Sequence, residues 1–150
     1  MSVKVKVYEK GNRDAGFYGY IGPFALNRRV TEEMHDKQYG PIYDEPSYAT
    51  WLIATKNNGE LLGFCTLFDK EKEVFLDNCY VVREHRGKGV GQKLFVKRLE
   101  LAKQIQGQRK IKGITMNEAQ AHIYQKYGFH LASKRGRYFW LELAPIKEVE

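Results

Sequence analysis

A chain of 150 residues is the length of one ordinary domain, and with 43% apolar and 13% aromatic residues it can fill a core, which excludes a disordered or low-complexity protein. No apolar run approaches the length of a membrane span, and the opening MSVKVKVYEKG alternates charge with Val and lacks the apolar block of a signal peptide. The formal net charge is +7, with ten basic residues between Arg83 and Lys112 against only Glu84 and Glu100, so the positive field belongs to one segment and a polyanion is expected to dock there.

Taken in chain order, residues 3–8 alternate Val with Lys and predict a strand. Residues 24–38 (FALNRRVTEEMHDKQ) read as a helix, with Phe24, Leu26, Val30 and Met34 as a partial apolar stripe. Tyr39 to Pro46 reads as a loop because of its Gly and two Pro. Three apolar runs follow. Tyr48–Lys56 ends at the hairpin signal Asn57-Asn58-Gly59, Leu61–Phe68 ends at a charged stretch, and Val74–Val82 comes next. Short turns between them predict an antiparallel meander.

The period then changes. Leu94, Phe95, Leu99, Ala102 and Ile105 form one face of a helix, with Lys93, Lys97, Glu100 and Lys103 outward. Ile111–Met116 is a short strand. Asn117 is placed to cap a second helix, with Gln120 in the capping-box position, Ile123, Tyr124 and Tyr127 as the inner stripe, and Gly128 as the stop. Phe129–Lys134 and Tyr138–Leu143 close the chain around Arg135-Gly136. No repeat, linker or second composition zone divides residues 1–150, so a single α/β domain with a mixed sheet is expected. Cys65 and Cys79 sit in apolar runs without CxxC spacing, as reduced thiols of a cytoplasmic protein would. The four histidines show no ligand spacing, so no metal is expected.

Arg86-Gly87-Lys88-Gly89-Val90-Gly91 lies between a strand and a helix. Glycines at alternate positions let main-chain N–H groups turn into one concavity, and the helix behind adds partial positive charge. With Arg86 and Lys88 this reads as a diphosphate cradle. A Walker A loop is absent, and a dinucleotide fingerprint fails because Gln92 follows Gly91.

The string Tyr80-Val81-Val82-Arg83-Glu84-His85-Arg86-Gly87-Lys88-Gly89-Val90-Gly91 resembles the acetyl-CoA loop of the GNAT N-acetyltransferases, Arg/Gln-x-x-Gly-x-Gly/Ala. Downstream, Asn117 and Tyr124-Gln125-Lys126-Tyr127-Gly128-Phe129 resemble the same family's Asn-x-x-Ala-x-x-x-Tyr-x-x-x-Gly-Phe, with Gln120 where the family usually has Ala. The two strings tie residues 47–143 to the family, and the first 46 residues show no distinctive match.

The resemblance implies a mixed, mostly antiparallel sheet of about six to seven strands flanked by helices. It also implies acetyl transfer from acetyl-CoA to a primary amine by direct attack. Carried over, the backbone of Tyr80, Val81 and Val82 would hold the pantetheine arm and the acetyl carbonyl. The amides from Gly87 to Gln92 (Lys88, Gly89, Val90 and Gly91 between them) would hold the diphosphate beside Arg86, and Asn117 would touch the pantetheine. Tyr124 would protonate the leaving thiolate, a role its phenol suits. Asp77, a carboxylate in an apolar strand, is a candidate base or water-positioning group for the amine. On a simply alternating strand it shares a face with Cys79 and Val81. Asp44, Glu45, His85, Glu118 and His122 have no spacing argument, and an acyl-cysteine route through Cys65 or Cys79 lacks a patterned His.

Two other readings compete. The basic segment exceeds what one cofactor needs, which would fit a nucleic-acid-directed enzyme of this fold or a nucleic-acid-binding protein. A degenerate, non-catalytic cofactor-binding module is the other. The acceptor is not written in the chain, although the loop from Tyr39 to Tyr48 carries charge that could select a cationic amine. The closing strand Tyr138-Phe139-Trp140 is a candidate pairing surface for a second subunit in a homodimer, and no membrane partner is expected.

Overall fold

A computed structural model describes residues 2–25, 27–35 and 49–145. In chain order the elements are β1 (Lys4–Tyr8), α1 (Ala15–Ala25), α2 (Arg28–Met34), β2 (Ala49–Thr55), β3 (Leu61–Asp69), β4 (Glu73–Val81), α3 (Val90–Ile105), β5 (Lys110–Thr115), α4 (Glu118–Lys126), β6 (His130–Arg135) and β7 (Tyr138–Leu143). The strands form one seven-stranded sheet in the order β1-β2-β3-β4-β5-β7-β6. Every neighbouring pair is antiparallel except β4–β5. This is the single-domain, mostly antiparallel α/β architecture that the resemblance implies.

The turn chemistry explains the meander. Gly59 takes the left-handed conformation at φ 87°, and Asn58 Oδ1 accepts the Glu60 amide at 3.0 Å, closing the β2–β3 hairpin. Each face of the sheet carries a core. Phe17, Ile21, Val30 and Met34 from α1 and α2 pack on Trp51, Phe64 and Tyr80. On the other face, Phe95 and Leu99 of α3 and Tyr124 of α4 pack on Leu67, Leu76 and Ile111. Each such side chain contributes roughly 1.5–3 kcal/mol of burial.

Three expectations are corrected. Over its described residues the helix read at 24–38 is two helices, because Asn27 starts a new one: its Oδ1 accepts the amides of Arg29 and Val30; Leu26 and residues 36–38 lie outside the described residues. Phe24 therefore belongs to α1, which the sequence hides behind three glycines and Pro23. Ile105, expected on the inner stripe, is 37% exposed at the end of α3. Finally, β7 lies between β5 and β6, so Tyr138-Phe139-Trp140 has no free edge for a second subunit. The loop Tyr39 to Tyr48 lies outside the described residues.

Two irregularities in the sheet build the site. Thr66 pairs with Asp77 and Phe64 with Tyr80, so Asn78 and Cys79 together oppose Cys65 alone. This is a β-bulge, and Asn78, at φ 44°, supplies its left-handed residue, a conformation Asn tolerates better than most. Beyond it the parity of β4 is reversed. Cys79 and Val81 face the α3 side with Val90 and Leu94, while Asp77 meets His35 at the end of α2. Asp77 and Cys79 thus do not share a face, as simple alternation would have it. The second irregularity is a split. Parallel pairing of β4 with β5 stops at Leu76 and Gly113, and the strands diverge beyond it.

Candidate functional site

The split opens a cleft of about 980 Å³. One wall is the β4 edge from Asp77 to Val81, another is the Arg86–Gln92 turn with the start of α3, and a third is α4 with Asn117 and Tyr124. Alternate residues along a strand turn their amide groups to the same side, so part of the β4 edge faces the gap unpaired by β5. Val82 is turned the other way, since its amide donates to Leu62 O at 2.8 Å.

Gly87 and Gly89 have φ 77° and 83°, and Gly89 is the left-handed cap from which α3 starts. Among the described residues, the amides of Gly87 through Gln92 donate to no backbone or side-chain acceptor. At a helix N-terminus such orphan donors, with the dipole behind them, form an anion site. Nothing lies within 4 Å of a Cβ added at Gly87 or Gly89. The space is open, and the residues present fit a diphosphate. The Arg86 guanidinium is engaged elsewhere: it ion-pairs with Glu33, donates to Val81 O at 2.8 Å and stacks on the Tyr80 ring. Burial pushes the Glu33 carboxyl up, but Arg86 and Arg83 outweigh it and hold it below the usual carboxylate range.

Tyr124 stands at the fork of the split. It is 1% exposed, held edge-on by Phe95 and Phe129, with its ring over the backbone of Gly113. Its hydroxyl oxygen accepts a hydrogen bond from Arg98 Nη2 at 3.0 Å. Burial pushes the phenol above its ordinary range, with Arg98 pulling the other way. Asn117 caps α4 by accepting the Gln120 amide at 2.9 Å, which leaves its side-chain NH2 for a ligand. The reciprocal half of the capping box is missing, because the Asn117 amide donates to Thr115 Oγ1.

Asp77 accepts the Asn78 amide at 2.8 Å and stands 3.6 Å from His35 Nε2. His35 Nε2 is 2.6 Å from Asn78 Oδ1. Asn78 Nδ2 donates to Thr66 Oγ1, which itself donates to Asp77 O. With the amide so oriented, Nε2 of His35 must be the donor to Oδ1. Asp77, Asn78 and His35 line the cleft on the side away from the glycine turn. Sequence reasoning passed over His35, Glu33 and Arg98. Only Arg98 had a signal, since it falls at helical spacing from Phe95 and Ala102.

The surplus of positive charge shrinks on inspection. Arg83 and Arg86 pair with Glu33, Lys97 with Glu100, Arg109 with Asp69, Lys110 with Glu142 and Lys112 with Glu73. Arg98 is in the core. Lys88, Lys93 and Lys103 remain without a carboxylate partner among the described residues; Lys88 lies in the glycine turn and Lys93 directly follows it. Burial raises both thiols, Cys65 to about 12, which leaves them poor nucleophiles. Among the described residues no three His, Cys, Asp or Glu side chains gather as metal ligands, and no helix is long and apolar enough to cross a membrane.

Comparison with known proteins identifies the family. A ribosomal protein bS18-alanine N-acetyltransferase assigned in Bacillus subtilis (strain 168) is 27% identical over 105 residues, covering 69% of this chain and 68% of that protein. An acyl-CoA N-acyltransferase from Pseudomonas aeruginosa has the same fold, with TM-score 0.73 at 17% identity, covering 95% of this chain and all of that one. The spermidine N-acetyltransferase of Vibrio cholerae, in complex with CoA and spermine, superposes with TM-score 0.68 at 15% identity over 95% of each chain. The model of the acetyltransferase (GNAT) family matches residues 14–129, taking in α1 and α2 as well as the two motifs. With that match spanning the glycine turn, the split sheet and Tyr124, the chain belongs to the acetyltransferase (GNAT) family and is an acyltransferase.

Proposed function

We propose that this protein transfers an acetyl group from acetyl-CoA to a primary amine by direct attack, with Tyr124 as the general acid. The observation that carries the reading is the row of unpartnered amides from Gly87 to Gln92 opening onto the same cleft as Tyr124. These amides would hold the diphosphate, with Lys88 and Lys93 beside them. The edge of β4 at Val81, which faces the gap while Tyr80 and Val82 turn toward β3, would hold the pantetheine arm, and the Asn117 side-chain amide would hold its far side. When bound, acetyl-CoA supplies an acetyl group activated as a thioester. Tyr124 donates its phenolic proton to the departing sulfur. Asp77, on the opposite side of the cleft, serves the incoming ammonium as base or water-positioning group.

An amine nitrogen is also the acceptor in the spermidine enzyme's name, and the bS18-alanine enzyme's name specifies an N-acetyl product. The nucleic-acid reading loses its footing, because most of the basic segment is paired within the chain. Two free cysteines, Cys65 buried and Cys79 half-buried, support a cytoplasmic setting.

The test is calorimetric titration with acetyl-CoA, followed by thiol release with polyamines, amino acids, peptides, aminoglycosides and nucleic acids. Expected are saturable heat and turnover on at least one primary amine; absence of any heat would overturn the reading. A narrower expectation concerns Asp77. Asp77→Asn keeps cofactor affinity and lowers kcat/KM for the amine about 10²-fold. An unchanged kcat/KM removes Asp77 from the proton transfer.

A further inference from the structure

Arg98 is the largest charged side chain in the core, 1% exposed, and among the described residues no carboxylate pairs with it. A buried cation without a counter-ion is expensive, and a methionine or leucine on this face of α3 would pack at no such cost. What the guanidinium does instead is bridge three elements. Nη1 donates to Thr66 O at 3.0 Å and to Asp77 O at 2.8 Å, the two carbonyls beside the β4 bulge. Nη2 donates to the Tyr124 hydroxyl oxygen at 3.0 Å. The titratable groups that face it are Tyr124 from α4, Cys65 from β3 and Cys79 from β4, while the Asp77 carboxylate acts on it from across the sheet.

The direction of the bond to Tyr124 has a chemical consequence. Arginine only donates, so the phenol oxygen is the acceptor and the phenol's own proton must point away from Arg98. Packed by Phe95 on one side and Phe129 on the other, with Gly113 beneath it, that hydroxyl has the cleft as its remaining outlet. The second consequence is electrostatic. Burial makes the phenol a weaker acid, a poor match for a thiolate whose own pKa is near 8.5. A cation hydrogen-bonded to the phenol oxygen favours the phenolate that proton donation leaves behind.

We propose that Arg98 is a positioning residue for the transfer, aiming the Tyr124 hydroxyl into the cleft and stabilising the phenolate it becomes. In the step concerned, the amine nitrogen has bonded to the acetyl carbon, the carbonyl C=O re-forms as the electron pair of the C–S bond goes to sulfur, and sulfur takes the Tyr124 proton. The phenolate oxygen keeps its electron pair against Nη2 and regains a proton from solvent, which also receives the proton lost by the amine. The same fork fixes the bulge carbonyls, so one side chain sets the register of the acid against the strand that receives the cofactor. This inference rests on the reading of Tyr124 as the acid.

A double-mutant cycle of Arg98→Met and Tyr124→Phe tests it, with acetyl-CoA affinity and Tm measured on each variant. Arg98→Met should lower kcat about 10- to 100-fold, with cofactor affinity within about twofold of wild type. In the Tyr124→Phe background it should cost no further kcat, because the group through which it acts is gone. In the protein without ligand, the 13Cζ resonance of Tyr124, assigned by its loss in Tyr124→Phe, should shift in Arg98→Met and partly return in Arg98→Lys. Should Arg98→Met not yield folded protein, Arg98→Lys carries the same cycle, since it keeps the charge and loses the fork. Losses that multiply in full, or an unmoved 13Cζ signal, overturn the role of Arg98 alone. Wild-type kcat in Tyr124→Phe overturns the acid assignment, and this inference with it.

Discussion

Tyr124→Phe should bind acetyl-CoA as the wild type does and turn over about 10²- to 10⁴-fold more slowly, the range typical of a lost general acid. The substitution is close to a single-atom deletion. The ring remains between Phe95 and Phe129, and the amides proposed to hold the diphosphate are on another element. The missing oxygen does leave Arg98 Nη2 without its acceptor, at about 1–3 kcal/mol. For a chain of this length that lowers Tm by roughly 2–10 °C, so activity should be compared well below the transition. The pH dependence carries a sign. An acid works only while protonated, and burial raises this phenol above its ordinary pKa of 10.0. The wild-type rate should therefore show no descending limb from Tyr124 below about pH 10. Equal kcat for the two proteins would remove Tyr124 from the chemistry.

How much of this could be seen in the chain differs from element to element, for physical reasons. α3 was legible because Leu94, Phe95, Leu99 and Ala102 repeat at the helical period, and the glycine turn because its φ > 0 positions demand the residue type that is there. α1 was not, because its glycines and Pro23 carry low helix propensity, and it rests on tertiary burial of Phe17 and Ile21 with the Asp14 side chain capping its start. Asp77 was legible as an odd carboxylate in an apolar strand, but its direction was not. That direction depends on a bulge at Asn78, and a left-handed Asn leaves no periodic trace. Arg98 was counted among surplus surface charges, although it sits on the apolar stripe itself. Charge was weighted over spacing, and spacing was the better guide. His35 follows α2 as a C-terminal cap residue and meets β4 only through the fold, 43 residues away in sequence.

Gly113→Ala should cost nearly as much activity as Tyr124→Phe while leaving every group proposed to react chemically unchanged. Gly113 is the last β5 residue paired to β4 before the sheet splits. A Cβ there would lie 2.7 Å from Tyr124 Cζ and 2.8 Å from its hydroxyl oxygen, far inside van der Waals contact. The ring has nowhere to retreat, since it is fully packed, and the strand is held on its other side by β7. Either β5 shifts or the phenol tilts off Arg98. Overpacking of this kind costs about 1–3 kcal/mol, and a misplaced reacting group loses on the order of 10²-fold in rate. Acetyl-CoA affinity should hold within a few-fold, because the amides proposed for the diphosphate lie on the glycine turn and the first turn of α3. Combining Gly113→Ala with Tyr124→Phe separates the two consequences. The steric cost persists, as Phe keeps the clashing ring carbons, so Tm falls again, while kcat should fall little below that of Tyr124→Phe alone. A full multiplicative loss in kcat would mean that Gly113 serves the reaction through the sheet split itself and not through the phenol it seats.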